Sequence, residues 1–366
     1  MAKKTKNIVV TVVMVAFFLS ASIFAWLKPA DEFSYSERRK LSQFPELSFK
    51  TVFSGDFMSG FENYTLDQFP LRDEFRTLKA IVALNVFNQS ANNDIYIVDG
   101  YAGKIEYPLN EKSVERAGER FRYVYEKYLE ATNTKNYVSV IPDKNYFLAK
   151  ENGYLSVDYE KMISLLRENT DFLEYIDITK NLEISDYYKT DTHWREENIV
   201  DVAEKIGKEM GIDVKVEYDV KALDVDFYGV YYGQSALPLR AEKIKYLTND
   251  TLESCKVFDY QNNKEISVYD MEKANGKDPY EMFLGGPLSL VTIENSSLKS
   301  DKELIVFRDS FGSSIAPLLV EGYKKITLVD IRYIHPNMLP NYIEFDSQDV
   351  LFLYSTSVLN NSETIK

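Results

Sequence analysis

Of 366 residues only one is cysteine, Cys255, and only two are histidine, His193 and His335. A single thiol excludes an intrachain disulfide, and so few imidazoles exclude a zinc finger or a histidine-rich metal cage. Positive charge is scarce as well. There are 43 Lys and Arg against 57 Asp and Glu, which gives a net charge of −14 and a pI near 4.9. Such a chain repels phosphate backbones unless its lysines are gathered locally, and the bulk of this one gathers none, so no nucleic-acid partner is expected. Internal repeats are absent, and coiled-coil and collagen architectures are excluded as well. What is plentiful is apolar: 45% hydrophobic and 14% aromatic residues suffice for a packed core and exclude wholesale disorder. At about 150 residues per domain the length suggests two domains.

The N-terminus reads as a membrane segment. Lys3, Lys4 and Lys6 precede Ile8 to Leu27, twenty residues without charge whose only polar members are Thr11, Ser20 and Ser22. At about 1.5 Å per residue this run matches a hydrocarbon core of roughly 30 Å. Basic residues stay on the cytoplasmic side, which places residues 30–366 outside. Ala21-Ser22-Ile23 and Ala25-Trp26-Leu27 are poor small-x-small cleavage sites, so an uncleaved anchor over residues 1–30 is expected.

Residues 31–111 read as juxtamembrane helices and a hairpin packing on the core. One amphipathic helix carries Phe57, Phe61 and Tyr64 and ends near Pro70, and a second covers Asp73 to Asn88. Ile95–Gly100 and Ala102–Tyr107 form a hairpin. From residue 112 helices alternate with five short apolar runs: 137–141, 175–178, 304–307, 326–329 and 350–354. That alternation predicts a parallel α/β sheet covered on both faces, built from residues 112–211 and 301–366. Between 212 and 300 it lapses, and this stretch is expected to be a β-rich insertion or lid.

Ligands of open α/β sheets bind at the carboxyl ends of the strands. Four polar clusters fall there: Asp143-Lys144, Asp191-Thr192-His193-Trp194, Arg308-Asp309-Ser310 and Asp330-Ile331-Arg332. Ser310 follows a strand and precedes a helix, where free N–H groups and the dipole would stabilise an oxyanion; it reads equally as an N-cap serine. Asp191 and His193 are two apart, so an extended segment would place both side chains on one side, the carboxylate orienting the ring as a general base. A following helix would also keep that ring neutral. The alternative is a histidine that merely caps or packs a loop, which is the reading for His335 beside Pro336. A metal held by Asp191, His193 and Asp309 has too few ligands at recognisable spacings. Lys144 and Arg332 are either solvated charges or contacts for substrate oxyanions.

These residues resemble the DHHW protein family. The resemblance rests on Asp191-Thr192-His193-Trp194, on Arg308 to Gly312, on Asp278-Pro279-Tyr280 through Phe283-Leu284-Gly285-Gly286, and on two juxtamembrane stretches, Glu37-Arg38 to Phe44-Pro45 and Asp67 to Asp73. The family is in turn similar to the SGNH-hydrolase-like domain of the alginate O-acetylation proteins. The resemblance implies a three-layer α/β sandwich with a parallel sheet in circularly permuted motif order, the Asp-x-His pair preceding the serine. It implies Ser310 as nucleophile, His193 as base and Asp191 as its orienter, with Arg332 as an active-site arginine; beside these, Lys144 and Trp194 are expected at the substrate from their places at the strand ends. Thr192 departs from the family's name motif at a position the triad does not use. No cofactor and no metal are implied. The implied activity is O-acetyl transfer to cell-surface polysaccharide, with a membrane-bound O-acyltransferase as donor partner. An acetyl esterase acting on envelope glycan and a non-catalytic glycan-binding component are the alternatives.

Overall fold

The computed structural model describes residues 2–366; the side chain of Lys3 lies outside the described residues. The chain divides into two compact units, Met1–Asn93 with Tyr232–Pro238, and Asp94–Tyr231 with Leu239–Lys366.

In the smaller unit, helix α1 (Ala2–Leu27) contains a segment, Lys4–Leu27, long and apolar enough to cross a membrane. Three helices follow: α2 (Phe49–Ser54), α3 (Asp56–Asp67) and α4 (Arg72–Asn85). Ser48 and Thr51 start α2 with a reciprocal capping box, and Gly55 ends it in the left-handed region at φ +85°. The two polar juxtamembrane motifs clasp each other. Arg39 reaches Asp67 through both terminal nitrogens (2.8 and 2.5 Å), Ser42 N–H donates to the same carboxylate, and Glu37 pairs with Arg72 and Arg76. The Arg39 hydrogen bonds hold the Asp67 carboxyl well below the usual carboxylate range, outweighing its desolvation. The motifs therefore staple the unit rather than line a site. α2 buries none of its residues, and Phe49 and Phe53 on its outer face are 87% and 85% exposed.

The larger unit is built on an eight-stranded sheet. Its strands are β1 (Lys135–Ile141), β2 (Glu174–Tyr175), β3 (Lys256–Asp259), β4 (Lys264–Ile266), β5 (Leu290–Glu294), β6 (Glu303–Arg308), β7 (Lys325–Val329) and β8 (Asp349–Ser355), in spatial order β4-β3-β5-β7-β6-β8-β1-β2. The five strands from β7 to β2 are parallel; four of them are apolar runs read from the sequence, and β2 meets the fifth run only at Tyr175. Alternate residues face opposite layers. Leu304, Val306, Leu351 and Leu353 join a core with Val202, Ala203 and Ile206 of helix Val200–Glu209. Ile305, Phe307, Val350 and Phe352 join another with Val114, Ala117 and Phe121 of helix Glu111–Val124 and with Met162 and Leu166 of helix Tyr159–Asn169. Burying each such side chain contributes about 1.5–3 kcal/mol, against about 1 kcal/mol net for a ladder hydrogen bond, so this two-sided pattern fixes each strand's register.

One expectation is corrected here, the extent of the second strand, and two are filled in. The β-rich insertion over residues 212–300 contributes strands to the main sheet. β3, β4 and β5 extend the main sheet as antiparallel strands beyond β7, because Val257, Val291 and Ile293 supply an apolar face that continues its core. The strand expected over 175–178 ends at Tyr175, since the Asp177 carboxylate accepts the Thr179 N–H (3.0 Å) and turns the chain. The hairpin of Ile95–Val98 and Tyr101–Lys104 belongs to the larger unit, where Ala102 N–H donates to Lys189 O (2.7 Å) and Ile95 packs with Tyr231.

Candidate active site

The carboxyl ends of β1, β6 and β7 hold three of the four clusters singled out above, and β8 lies between β6 and β1. After β6 the chain makes a tight turn through Asp309 and Ser310. Asp309 is buried and holds that turn from both sides: Oδ1 accepts the Phe311 N–H (3.0 Å) and Oδ2 the Ser355 N–H at the end of β8 (2.8 Å). A Cβ on Gly312 would fall 2.6 Å from Arg308 Cβ, so only glycine allows the chain to fold back this closely. The helix expected after Ser310 is one α-turn, Gly312–Ile315, continued as a 3₁₀ turn over Ala316–Leu319. Its dipole is correspondingly short, and the stabilising group left for an oxyanion is local: among the described residues the Ser310 N–H has no hydrogen-bond acceptor. Ser310 itself is half-buried, whereas Ser313 and Ser314 are buried.

Asp191 and His193 reach this turn from a loop pinned at several points. Tyr187 and Trp194 form an antiparallel bridge across it, and Tyr188 N–H donates to His193 O (3.1 Å). Tyr187 Oη donates to Pro142 O at the end of β1 (2.6 Å). The acid and base do not share a side of an extended strand, as the spacing suggested. Instead Asp191 Oδ1 accepts the His193 backbone N–H (3.1 Å) in an Asx-type turn that swings the ring back onto the same oxygen. Nor does an α-helix start beside His193; a single 3₁₀ turn follows over Glu196–Asn198, and the next α-helix begins at Val200.

The resulting geometry is a linear chain of three groups. His193 Nδ1 lies 2.6 Å from Asp191 Oδ1, and Nε2 lies 2.7 Å from Ser310 Oγ. With the carboxylate on Nδ1, the proton sits there and Nε2 is the acceptor for the serine hydroxyl. Asp191 is buried, and its second oxygen accepts the Val230 N–H (2.8 Å). The His193 side chain keeps 13% exposure, so the serine end of the chain opens to solvent.

Sequence reasoning missed the groups that hold Asp191 in place. Gly229 approaches so closely that a Cβ would lie 2.4 Å from Asp191 Cα. Glu242 accepts the N–H groups of Lys189 and Thr190 (3.0 and 2.9 Å) and pairs with Arg195. Backbone donors leave no side-chain signature, and Glu242 lies fifty positions away. Tyr280, stacked on the His193 ring with centroids 4.0 Å apart and planes at 12°, was visible only as part of a motif without a role.

Two expected substrate contacts are corrected. Trp194 is fully buried and spends its Nε1–H on Ser314 Oγ (2.8 Å). Lys144 is buried, and its Nζ donates to the carbonyls of Tyr188 (3.0 Å) and Lys189 (3.1 Å), fixing the loop from below. A position after a strand shows where a residue begins and not which way its side chain turns. Arg332 is clamped on Asp330 through Nε (2.9 Å) and a terminal nitrogen (2.7 Å) and keeps 17% exposure. Asp143 accepts from Tyr159 Oη, Asn145 N–H and Thr356 Oγ1, and ties β1 to β8. His335 caps a 3₁₀ turn, its Nδ1 accepting the Asn337 N–H.

Lys144 gives a pH-dependent prediction. Burial pushes its ammonium down to about 7, although the carboxylates of Asp191, Glu242 and Asp143 pull the other way. The unfolded chain, with an ordinary lysine pKa near 10.5, binds the extra proton between these values. Stability therefore rises with pH from about 7 to about 10.5, by on the order of a few kcal/mol. In Lys144→Met that component of the slope is expected to vanish, and urea unfolding of both proteins across this range measures it. An unchanged slope would show that the ammonium is not desolvated.

No protein-family model matches the sequence, and no curated protein matches it. Solved structures do. A DHHW family protein from Eubacterium siraeum superposes with a TM-score of 0.61 at 20% identity, over 75% of this chain and 95% of that one. Bacillus cereus PatB1 superposes with a TM-score of 0.56 at 18% identity over 74% and 98%, and a second structure of it carries a sulfonyl adduct. The O-acetyltransferase domain of Pseudomonas putida AlgJ gives a TM-score of 0.45 at 9% identity over 73% and 92%. The likeness to DHHW family proteins expected from the sequence is thus borne out as a shared fold.

Proposed function

We propose that this chain is an extracytoplasmic, membrane-anchored serine acyltransferase that places acetyl groups on cell-envelope polysaccharide. The observation that carries the reading is the hydrogen-bonded series Ser310–His193–Asp191, with its serine half-open to solvent. Ser310 Oγ attacks the acetyl carbonyl of a donor ester while His193 Nε2 takes the hydroxyl proton. The negative charge on the tetrahedral oxygen falls beside the Ser310 N–H, and collapse expels the donor alcohol, which receives the proton from His193. A sugar hydroxyl then gives its proton to Nε2 and attacks the acetyl-serine, and Ser310 recovers its proton from the imidazolium. Asp191 keeps the ring in the required tautomer throughout. Arg332, rigid on Asp330 and part-exposed, is the cation assigned to the substrate.

The apolar helix at the N-terminus supports the anchor, and so does α2, whose outward Phe49 and Phe53 would be a liability in water and suit a bilayer surface. Acetyl-coenzyme A is confined to the cytoplasm, so the donor ester would be supplied by a membrane-bound O-acyltransferase. One observation favours a second reading: His193 is reachable by water, and with water as acceptor the same steps make an esterase.

Purified full-length protein, supplied with a chromogenic acetyl ester and an oligosaccharide from an envelope glycan, separates these. Acetate appearing on the oligosaccharide supports transfer, and acetate released from a pre-acetylated oligosaccharide supports the esterase. Neither product, with no hydrolysis of the chromogenic ester, leaves the glycan-binding alternative.

A further inference from the structure

Ser314 lies one turn beyond Ser310 and is fully buried. Its Oγ is 2.8 Å from Trp194 Nε1, 2.9 Å from Tyr280 Oη and 3.2 Å from Phe311 O. A hydroxyl has one hydrogen and two lone pairs, an indole nitrogen only donates and a carbonyl only accepts. Ser314 therefore donates to Phe311 O and accepts from both Trp194 and Tyr280. Its capacity is filled, and the direction of the Tyr280 hydroxyl is fixed as a donor.

The three partners come from three places in the chain. Trp194 follows the histidine, Phe311 follows the serine, and Tyr280 lies in the segment Pro279–Met282. The face of Tyr280 lies on the His193 ring at 4.0 Å, and Phe311 meets the same ring at 5.0 Å and 51°. The edge of Trp194 packs on Phe311 at 5.4 Å and 83°. One hydroxyl thus joins both neighbours of the reacting pair to the aromatic plane on which the imidazole rests.

We infer that Tyr280 and Ser314 are positioning residues of the acyl-transfer site. Ser314 locks the histidine loop to the serine turn, and the Tyr280 face fixes the ring's rotation so that Nε2 stays 2.7 Å from Ser310 Oγ. When His193 takes the serine proton, the same face lies against a cation, an arrangement aromatic rings favour. This inference rests on the acyl-transfer reading for its consequence in rate, but the placement of the ring is measurable without turnover.

The test uses the full-length protein labelled in its histidine rings. There are only two histidines, and His335, which caps the 3₁₀ turn Pro336–Asn341, serves as internal reference. The His193 ring protons are expected to be displaced upfield by the Tyr280 ring current in the wild type. That displacement is expected to disappear in Tyr280→Leu and to persist in Tyr280→Phe. Turnover of an acetyl ester is expected to fall about 10–100-fold in Tyr280→Leu and Ser314→Ala, mainly in kcat, since a misplacement of about 1 Å costs up to about 100-fold. Tyr280→Phe keeps the face and loses the hydrogen bond, and is expected to recover about tenfold of that loss. A wild-type His193 signal without displacement overturns the inference even where the variants do not fold. Full turnover in Tyr280→Leu, in a protein that Ser310→Ala inactivates, overturns it while leaving the acyl-transfer reading intact. If Ser310→Ala proves silent, the acyl-transfer reading falls and the displaced His193 signal still decides the placement.

Discussion

Ser310→Ala is expected to lower acetyl-ester turnover by about 10³-fold or more, with the fold unchanged. The size follows from the nucleophile's role proposed for the hydroxyl. Without it no acyl-enzyme forms, and His193 is left to activate water at a site built around an oxygen that is missing; losses of this order accompany removal of a single member of such a series. The structure makes the variant mild otherwise. Among the described residues Ser310 Oγ bonds only to the histidine ring, while the turn is held by the Asp309 carboxylate and the close approach of Gly312 to Arg308. A sulfonyl fluoride provides the second readout. It should modify wild-type Ser310 and nothing in the variant, because neighbouring Ser313 and Ser314 are buried. Unchanged turnover in Ser310→Ala, or sulfonylation elsewhere, would remove the nucleophile from the mechanism.

How much of this was legible in the chain differs from element to element for physical reasons. Four of the parallel strands, β1, β6, β7 and β8, are buried on both faces along most of their length, so each carries a bare apolar run, and the eye finds them at 137–141 and 350–354 without help; β2 is two residues at the edge and is not buried. β3 and β4 near the sheet's free edge carry Lys256, Lys264 and Glu265 among their few residues, which is sound chemistry for an edge and poor advertisement for a strand. Asp191, His193 and Ser310 stood out because the histidine is rare and because strand ends gather function. The means by which they meet did not. An Asx turn replaces the expected extended segment, and the Val230 N–H that holds Asp191 belongs to the backbone, which any residue but proline supplies. Lys144 and Trp194 show the opposite failure: conspicuous side chains at the right end of the sheet, turned inward to hold loops.

The demands on Asp191 make Asp191→Asn the more instructive second variant, because the amide is nearly the same size and fails for a reason that can be followed atom by atom. The carboxylate accepts on both oxygens: Oδ1 takes the His193 N–H and Nδ1–H, and Oδ2 takes the Val230 N–H. An amide has one acceptor oxygen. If it faces Val230, its NH₂ group points at Nδ1, which must then be unprotonated, and the proton moves to Nε2, where it confronts Ser310 Oγ as a donor. If it faces His193, two N–H donors meet at Val230 in a buried place, at a cost of about 1–3 kcal/mol. The first arrangement loses the base and also sets the NH₂ group against the part-buried His193 backbone N–H; the second keeps the base and sets it against the Val230 N–H. Because a wrong tautomer of this kind lowers turnover about 10⁴-fold in the Ser-His-Asp enzymes, a loss of about 10³–10⁴ in kcat/KM is expected, with a modest fall in thermal stability. Steady-state kinetics paired with thermal unfolding on the same preparation reads both terms. Activity within tenfold of wild type would mean that the carboxylate does not orient the ring, and that the histidine finds its tautomer without it.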